Sequence, residues 1–357
     1  MYLPVGERIR LNRSGEYYVV PVSTYQYKDC NIVIKGHQTK HPVYYYQSPL
    51  FLDTETSHNH DEHNPIGWIY QYCMEWMGQY AIGRSVGSLI QLLRWVHDTY
   101  KLSDERRVVI YVHNLSYDMT YLSEFLHAEF GPGEILALKS RKILSARFGG
   151  LEFRCSYLLS NMSLKVWGDK LKCNIRKQIG AVDYDIIRYP DTLLTMLDWE
   201  YMINDVASQK ECVYRELSLA GDTIATVPLT STGYVRRDCR RAARKDKHYR
   251  KWFTSCKLTV RCYQLLKWAF AGGLTHGNRF FGNMILEDLG EVDFKSRYPA
   301  TQMLEDLPAS AFHLYYDVRT NKTQLSFDEF NSLLGSQCCL INIVFKNLRL
   351  KKGVTLP

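Results

Sequence analysis

FLDTET, residues 51–56, decides the reading of this chain: an apolar lead-in runs straight into two carboxylates separated by one residue. Successive side chains of a strand point to opposite faces, so Asp53 and Glu55 stand together on one face at the end of a buried segment. Like charges held side by side repel unless a cation lies between them. Mg2+ takes hard oxygen ligands of this kind, one or two carboxylates together with a substrate phosphate. After FLDTET comes a polar loop, SHNHDEHNP, and then IGWIYQYCMEW, which alternates like a second strand. SLIQLLRWVHDTY has helical spacing, RVVIYVHN reads as a buried strand, and SYDMTYLSEFLHAEF is helical again.

Strand, hairpin strands, helix, strand, helix is the succession of a ribonuclease-H-like α/β (α+β) domain, which is the fold class expected here. Upstream, YYVVPV, NIVI and PVYYY read as short antiparallel strands within residues 1–50. Downstream, LEFRCSYL and the region near VDYDII are strand-like, and a helix is built on LTMLDWEYMINDVASQKECVYREL. RRDCRRAARKDKHYRK, residues 236–251, places nine basic side chains at helical steps and predicts one strongly cationic helix. Such a helix is either a solvated face or a track for phosphates.

The 357 residues, 46% of them hydrophobic, suffice to bury a core and form two or more domains, which excludes a disordered chain. A net charge of +8 suits a polyanionic partner without requiring one. Ten cysteines fall without a CxxC pair or zinc-ligand spacing, so a disulfide framework or a metal knuckle is not indicated. His58, His60, Asp61, Glu62 and His63 likewise match no zinc pattern and read as a polar hairpin loop. MYLPVGERIR lacks the apolar core of a signal peptide, and no run approaches the ~18 to 20 apolar residues of a membrane span. These features lead us to expect a soluble, intracellular protein in a reducing cytosol.

Two further segments complete the pattern. Asn114-Leu-Ser-Tyr117-Asp118 follows the buried strand, and Asp118 enters the next helix, where an acid in the first turn also suits the helix dipole. Tyr201 and Asp205 in EYMIND lie one helical turn apart on one face. DTET, NLSYD and EYMIND resemble, in this order, the Exo I, Exo II and Exo III motifs of the DEDDy 3'→5' exonucleases fused to family B DNA polymerases. The resemblance implies two-metal hydrolysis of DNA: Asp53, Glu55, Asp118 and Asp205 would hold two Mg2+ or Mn2+ ions, and Tyr201 would orient the attacking water. It also implies that Thr56, Asn114 and Tyr117 grip the frayed primer end. FRCSYLL resembles a single-strand-contacting segment of phage relatives, with Ser156 kept and Cys155 in place of an Asp. The lysine of the stretch before Exo III is matched by Lys177, with Lys172 as the alternative.

Farther on, VDFKSRYP resembles polymerase motif A, and Phe270-Ala-Gly272-Gly273 resembles the (Y/F)xGG motif. By that resemblance Asp293 is a catalytic metal ligand of a second active site, also served by two ions. Tyr298 would stack under the incoming nucleotide, and Phe270, Gly272 and Gly273 would contact template. Arg297 stands where the family usually has Leu. With PLTSTGYVRRD, the similarity points to the protein-primed polymerases of tailed phages, and so to phage-encoded DNA replication in the bacterial host cytoplasm. The implied partners are single-stranded and primed DNA, dNTPs for the full-length enzyme and a terminal priming protein, with no membrane. The expected domains are 1–215, N-terminal strands plus exonuclease; 216–265, a basic helical connection; 266–305, the start of the palm; and 306–357, the start of a palm insertion of the terminal-protein-contacting type. The fingers lysine motif and the second palm carboxylate motif do not occur in these residues, so the expectation is a fragment, a split gene product or an incomplete reading frame, competent in hydrolysis only. The competing readings are a stand-alone DEDDy exonuclease and a non-catalytic DNA-binding replication module.

Overall fold

The structure is a computed structural model that describes residues 8–11, 15–21, 33–35 and 42–270 except 60, 62, 64, 65, 179–182 and 184, and beyond them 284–285, 287, 290, 296–304, 325–334, 339 and 349. The chain forms two compact units, residues 1–238 and 239–357.

The first unit is built on a mixed sheet. Its strands are β1 (Arg8–Leu11), β2 (Gly15–Pro21), β3 (Val33–Lys35), β4 (Tyr44–Tyr46), β5 (Leu50–His58), β6 (Gly67–Trp76), β7 (Gln79–Gly83), β8 (Arg106–Val112), β9 (Glu134–Ala137), β10 (Ile143–Phe148) and β11 (Leu151–Cys155). The helices are α1 (Val86–Thr99), α2 (Leu115–Phe130), α3 (Ser156–Ser160), α4 (Leu164–Lys170) and α5 (Met196–Ala220), and α6 (Ser231–Lys245) spans the division at residue 238. The sheet order is β1-β2-β7-β6-β5-β8-β11-β10-β9, with β4 pairing to β8 and β3 to β4. Antiparallel β5, β6 and β7 followed by β8 and β11, each parallel to its inner neighbour, make this the ribonuclease-H-like α/β arrangement expected from the chain order.

Parallel strands covered on both faces need continuous apolar runs. Leu50, Phe51 and Leu52 on β5 and Val108 to Val112 on β8 supply them, all at 1% exposure or less. Removing side chains of this size from water stabilises the fold by roughly 1.5–3 kcal/mol each, before conformational entropy is counted. Ser85 starts α1 by accepting a hydrogen bond from the Ser88 amide, and Leu89, Leu92, Leu93 and Val96 bury one face of the helix. Thr195 and Asp198 form a reciprocal capping box on α5, which packs across β5 and β6.

Three expectations change. The N-terminal strands pair antiparallel with one another as expected, β1 with β2 and β3 with β4, but β2 joins β7 and β4 joins β8 in parallel. The region near VDYDII carries no strand among its described residues. It is held by side chains instead: Arg188 bonds the carbonyls of Asp183 and Ile186, and its amide donates to Ser57 Oγ at 3.0 Å. The basic run is not one helix either. It breaks at Asp246, which accepts from the His248 amide and caps the second unit's α7 (Lys247–Ser255). The second unit also contains α8 (Val260–Ala269), α9 (Arg297–Leu304) and α10 (Phe327–Leu334). Among the described residues, no helix is long and apolar enough to cross a membrane.

Candidate metal centre

The sheet and α5 bring carboxylates from distant parts of the chain to one place. Asp53 and Glu55 project from the same face of β5. Opposite Glu55 and Thr56 the ladder with β6 slips, from Gln71 to Ile69, at the kind of irregularity that re-aims side chains beside active sites. Asp205 comes from α5. One carboxylate oxygen each from Asp53, Glu55 and Asp205 lies within 4.8 Å of the other two. They line a cleft of about 510 Å3, together with Thr56, His58, His113, Asn114, Tyr117, Lys177, Tyr201 and Gln209.

The electrostatics of this cleft are those of too many acids for the available cations. Burial holds the Asp53 carboxyl well above the usual carboxylate range, and the charges of Glu55, Asp205 and Asp118 raise it further against the pull of Lys177. Glu55 is pushed up to about 8, by burial first and then by Asp205. Asp205 is raised by burial, with Lys177 and the Tyr201 hydroxyl opposing. Lys177 Nζ stands 2.6 Å from Asp205 Oδ2 and 5.4 Å from the centre of the Tyr201 ring. Asp205 Oδ1 is buried with no hydrogen-bond partner. Hard oxygen donors, an orphaned buried lone pair and uncompensated negative charge fit a divalent cation held by Asp53, Glu55 and Asp205.

Asp118 lies outside this trio. It is buried on α2, accepts a 2.6 Å hydrogen bond from Thr54 Oγ1, and is raised to about 7 by burial against that bond. Thr54 alternates with Asp53 and Glu55, so Asp118 meets β5 from the α2 side while its charge still reaches Asp53. Asn114 precedes α2 in the left-handed conformation, φ 68°, which asparagine tolerates better than most residues. Tyr117 is half exposed and shares a short hydroxyl–hydroxyl bond with Thr56, and Tyr121 meets its ring edge-on at 5.5 Å. Lys177 reaches Asp205, whereas Lys172 is exposed in the turn after α4.

Ser156 is fully buried and does not line the cleft. Its Oγ is 3.0 Å from His113 Nδ1 and accepts from Gln209 Nε2 at 3.0 Å, so it meets the cleft only through those two side chains. His113 is depressed to about 4 by burial and by the Lys177 charge. Neither His113 nor Gln209 was singled out from the sequence. Gln209 follows Tyr201 and Asp205 at a further i+4 step, a spacing that places it on their face of α5. Phe270 follows α8 and Tyr298 lies in α9, both with exposed side chains. Asp293, Gly272 and Gly273 lie outside the described residues.

No known family profile matches the chain, and no curated protein matches it in sequence. Solved structures do match its fold. Phi29 DNA polymerase complexed with primer-template DNA, in a post-translocation binary complex, aligns at TM-score 0.50 and 16% identity, covering 67% of this chain and 42% of that one. The same polymerase complexed with single-stranded DNA aligns at TM-score 0.49 and 16% identity, with the same coverage. At this identity the likeness is one of fold, and the chain spans about two fifths of the length of the structures it matches.

Proposed function

We propose that residues 1–215 form a metal-dependent 3'→5' exonuclease acting on single-stranded or frayed DNA ends. The carrying observation is the Asp53–Glu55–Asp205 trio with the orphaned Asp205 Oδ1, whose mutual repulsion a divalent cation would relieve. When bound, two Mg2+ or Mn2+ ions supply Lewis-acid stabilisation of the leaving 3'-oxygen and a water acidic enough to attack at neutral pH. The chain's own groups do the rest. Asp53, Glu55 and Asp205 hold the ions, with Asp118 adding negative potential from behind β5. Tyr201 orients the attacking water, and Lys177 neutralises Asp205 and fixes its rotamer. Tyr117, tied to Thr56, offers a ring to the terminal base, and Asn114 stands beside it as a polar contact.

On the resemblance of VDFKSRYP and FAGG, the parent activity is DNA-directed DNA polymerisation of the protein-primed phage type, with the exonuclease as its proofreading site. In that role Asp293 is a palm metal ligand, Tyr298 contacts the dNTP, and Phe270, Gly272 and Gly273 contact template. Ser156 and Lys177 belong to the single-strand side, Ser156 acting through His113 and Gln209. The partners are primed DNA and a terminal priming protein, in a bacterial host's cytoplasm.

The test is degradation of a 5'-labelled single strand in Mg2+ or Mn2+. The wild-type chain is expected to produce a ladder shortening from the 3' end, and Asp53→Ala with Glu55→Ala to produce none. Metal-independent cleavage, or unchanged rates in the double variant, contradicts the assignment.

A further inference from the structure

One aromatic pair lies outside the cleft lining. Trp68 and Tyr189 stack with ring centres 4.9 Å apart and planes within 6°. The pair is fixed from several sides. Trp68 Nε1 donates to the Arg188 carbonyl at 2.7 Å, Arg84 donates to the Tyr189 carbonyl at 3.0 Å, and the Tyr189 amide donates to Thr192 Oγ1 at 2.8 Å. Yet Tyr189 is 50% exposed. One face of the Tyr189 ring lies against Trp68, and half of the residue's surface is left open.

Its position relates it to the carboxylates. Asp53, Glu55 and Ser57 follow each other along one face of β5, about 7 Å from one to the next. Trp68 pairs with Ser57 across the ladder, and Ser57 Oγ accepts the Arg188 amide. The stacked pair thus continues the row of groups that begins at Asp53.

We propose that the open face of Tyr189, backed by Trp68, is a base-stacking subsite for an upstream nucleotide of the strand whose 3' end lies at Asp53 and Glu55. The proposal rests on the exonuclease reading above and adds a second contact to it. A rigid aromatic face binds any base, because every base has a π-surface, and it loses little entropy on doing so. The subsite therefore sets affinity for strands long enough to reach it without selecting sequence, and it acts on KM rather than kcat.

The experiment is a double-mutant cycle between protein and strand. Affinity for fluorescent oligonucleotides is measured in EDTA, where nothing is hydrolysed, with an abasic site moved one position at a time from the 3' end. Wild type, Tyr189→Phe, Tyr189→Leu and Tyr189→Ala are compared. Tyr189→Ala and Tyr189→Leu are expected to weaken binding on the order of 10-fold, and Tyr189→Phe to leave it unchanged. A single abasic position should weaken wild type by the same factor and the Ala and Leu variants hardly at all. Metal-dependent degradation with no coupling at any position overturns the subsite and leaves the exonuclease reading standing. Failure of the wild type to bind single strands overturns both. Self-association of wild type that Tyr189→Ala abolishes, without coupling to the strand, assigns the ring to a contact between copies and also overturns the proposal.

Discussion

Glu55 carries the most readable ionisation signature of the site. Its carboxyl is raised from 4.5 to about 8, chiefly by burial and then by Asp205. A carboxyl raised on folding stabilises the metal-free protein fully at pH values below 4.5, and that contribution is lost as pH climbs towards 8. The metal-free chain should therefore melt at progressively lower temperature between pH 5 and 8. Added Mn2+ should have little effect at pH 5 and raise Tm increasingly above pH 7, because the ion binds the deprotonated acids. A Mn2+ effect independent of pH, measured by differential scanning calorimetry, would separate the ion from these carboxylates. Asp53 with Glu55 and Tyr201 with Asp205, whose roles only the motif resemblance implies, were legible as same-face pairs from strand and helix periodicity. The place of Asp118 one hydrogen bond behind Thr54, and the burial of Ser156 under His113 and Gln209, were not. Both depend on which neighbouring element covers a side chain, and no local period encodes that.

At the scale of elements, α5 is the part on which the site depends most, since it carries Tyr201, Asp205 and Gln209. Its first turn is fixed by Thr195, whose side chain accepts the Asp198 amide while Asp198 accepts the Thr195 amide at 2.8 Å. Asp198 also pairs with Arg188 at 3.2 Å, linking the cap to the loop that carries Tyr189. Thr195→Ala is expected to lower stability by about 1 kcal/mol, read from the denaturant midpoint. A change within a few tenths of zero would show that Arg188 alone holds the helix start. The long apolar strands and helices were read correctly because their patterns are strong. The β10–β11 hairpin was missed, although Gly149 and Gly150, at φ 53° and 88°, stand between Phe148 and Leu151 as a two-residue turn of the kind such hairpins use. VDYDII misled because alternating apolar residues can follow a loop stapled by an arginine as well as a ladder.

For the whole molecule, the chain order of strands and helices fixed the α/β class before any contact was known, while the net charge of +8 said little. The basic run illustrates why. Arg237 is spent on Asp222, with its guanidinium also 5.1 Å from the Tyr234 ring, so a count of cations overstates the charge open to phosphates. The polymerase reading rests on motifs whose Asp293, Gly272 and Gly273 lie outside the described residues, whereas the exonuclease reading rests on one cleft in the first unit. In the proposed exonuclease the charge of Asp205 works in chemistry rather than in holding DNA. Single-turnover hydrolysis of a 5'-labelled strand by wild type and Asp205→Asn, with strand affinity measured alongside in EDTA, isolates that charge. The expected result is unchanged affinity with a rate lower by about 10²-fold or more, the scale of losing one preorganised electrostatic group. Equal rates in Mg2+ would contradict the account.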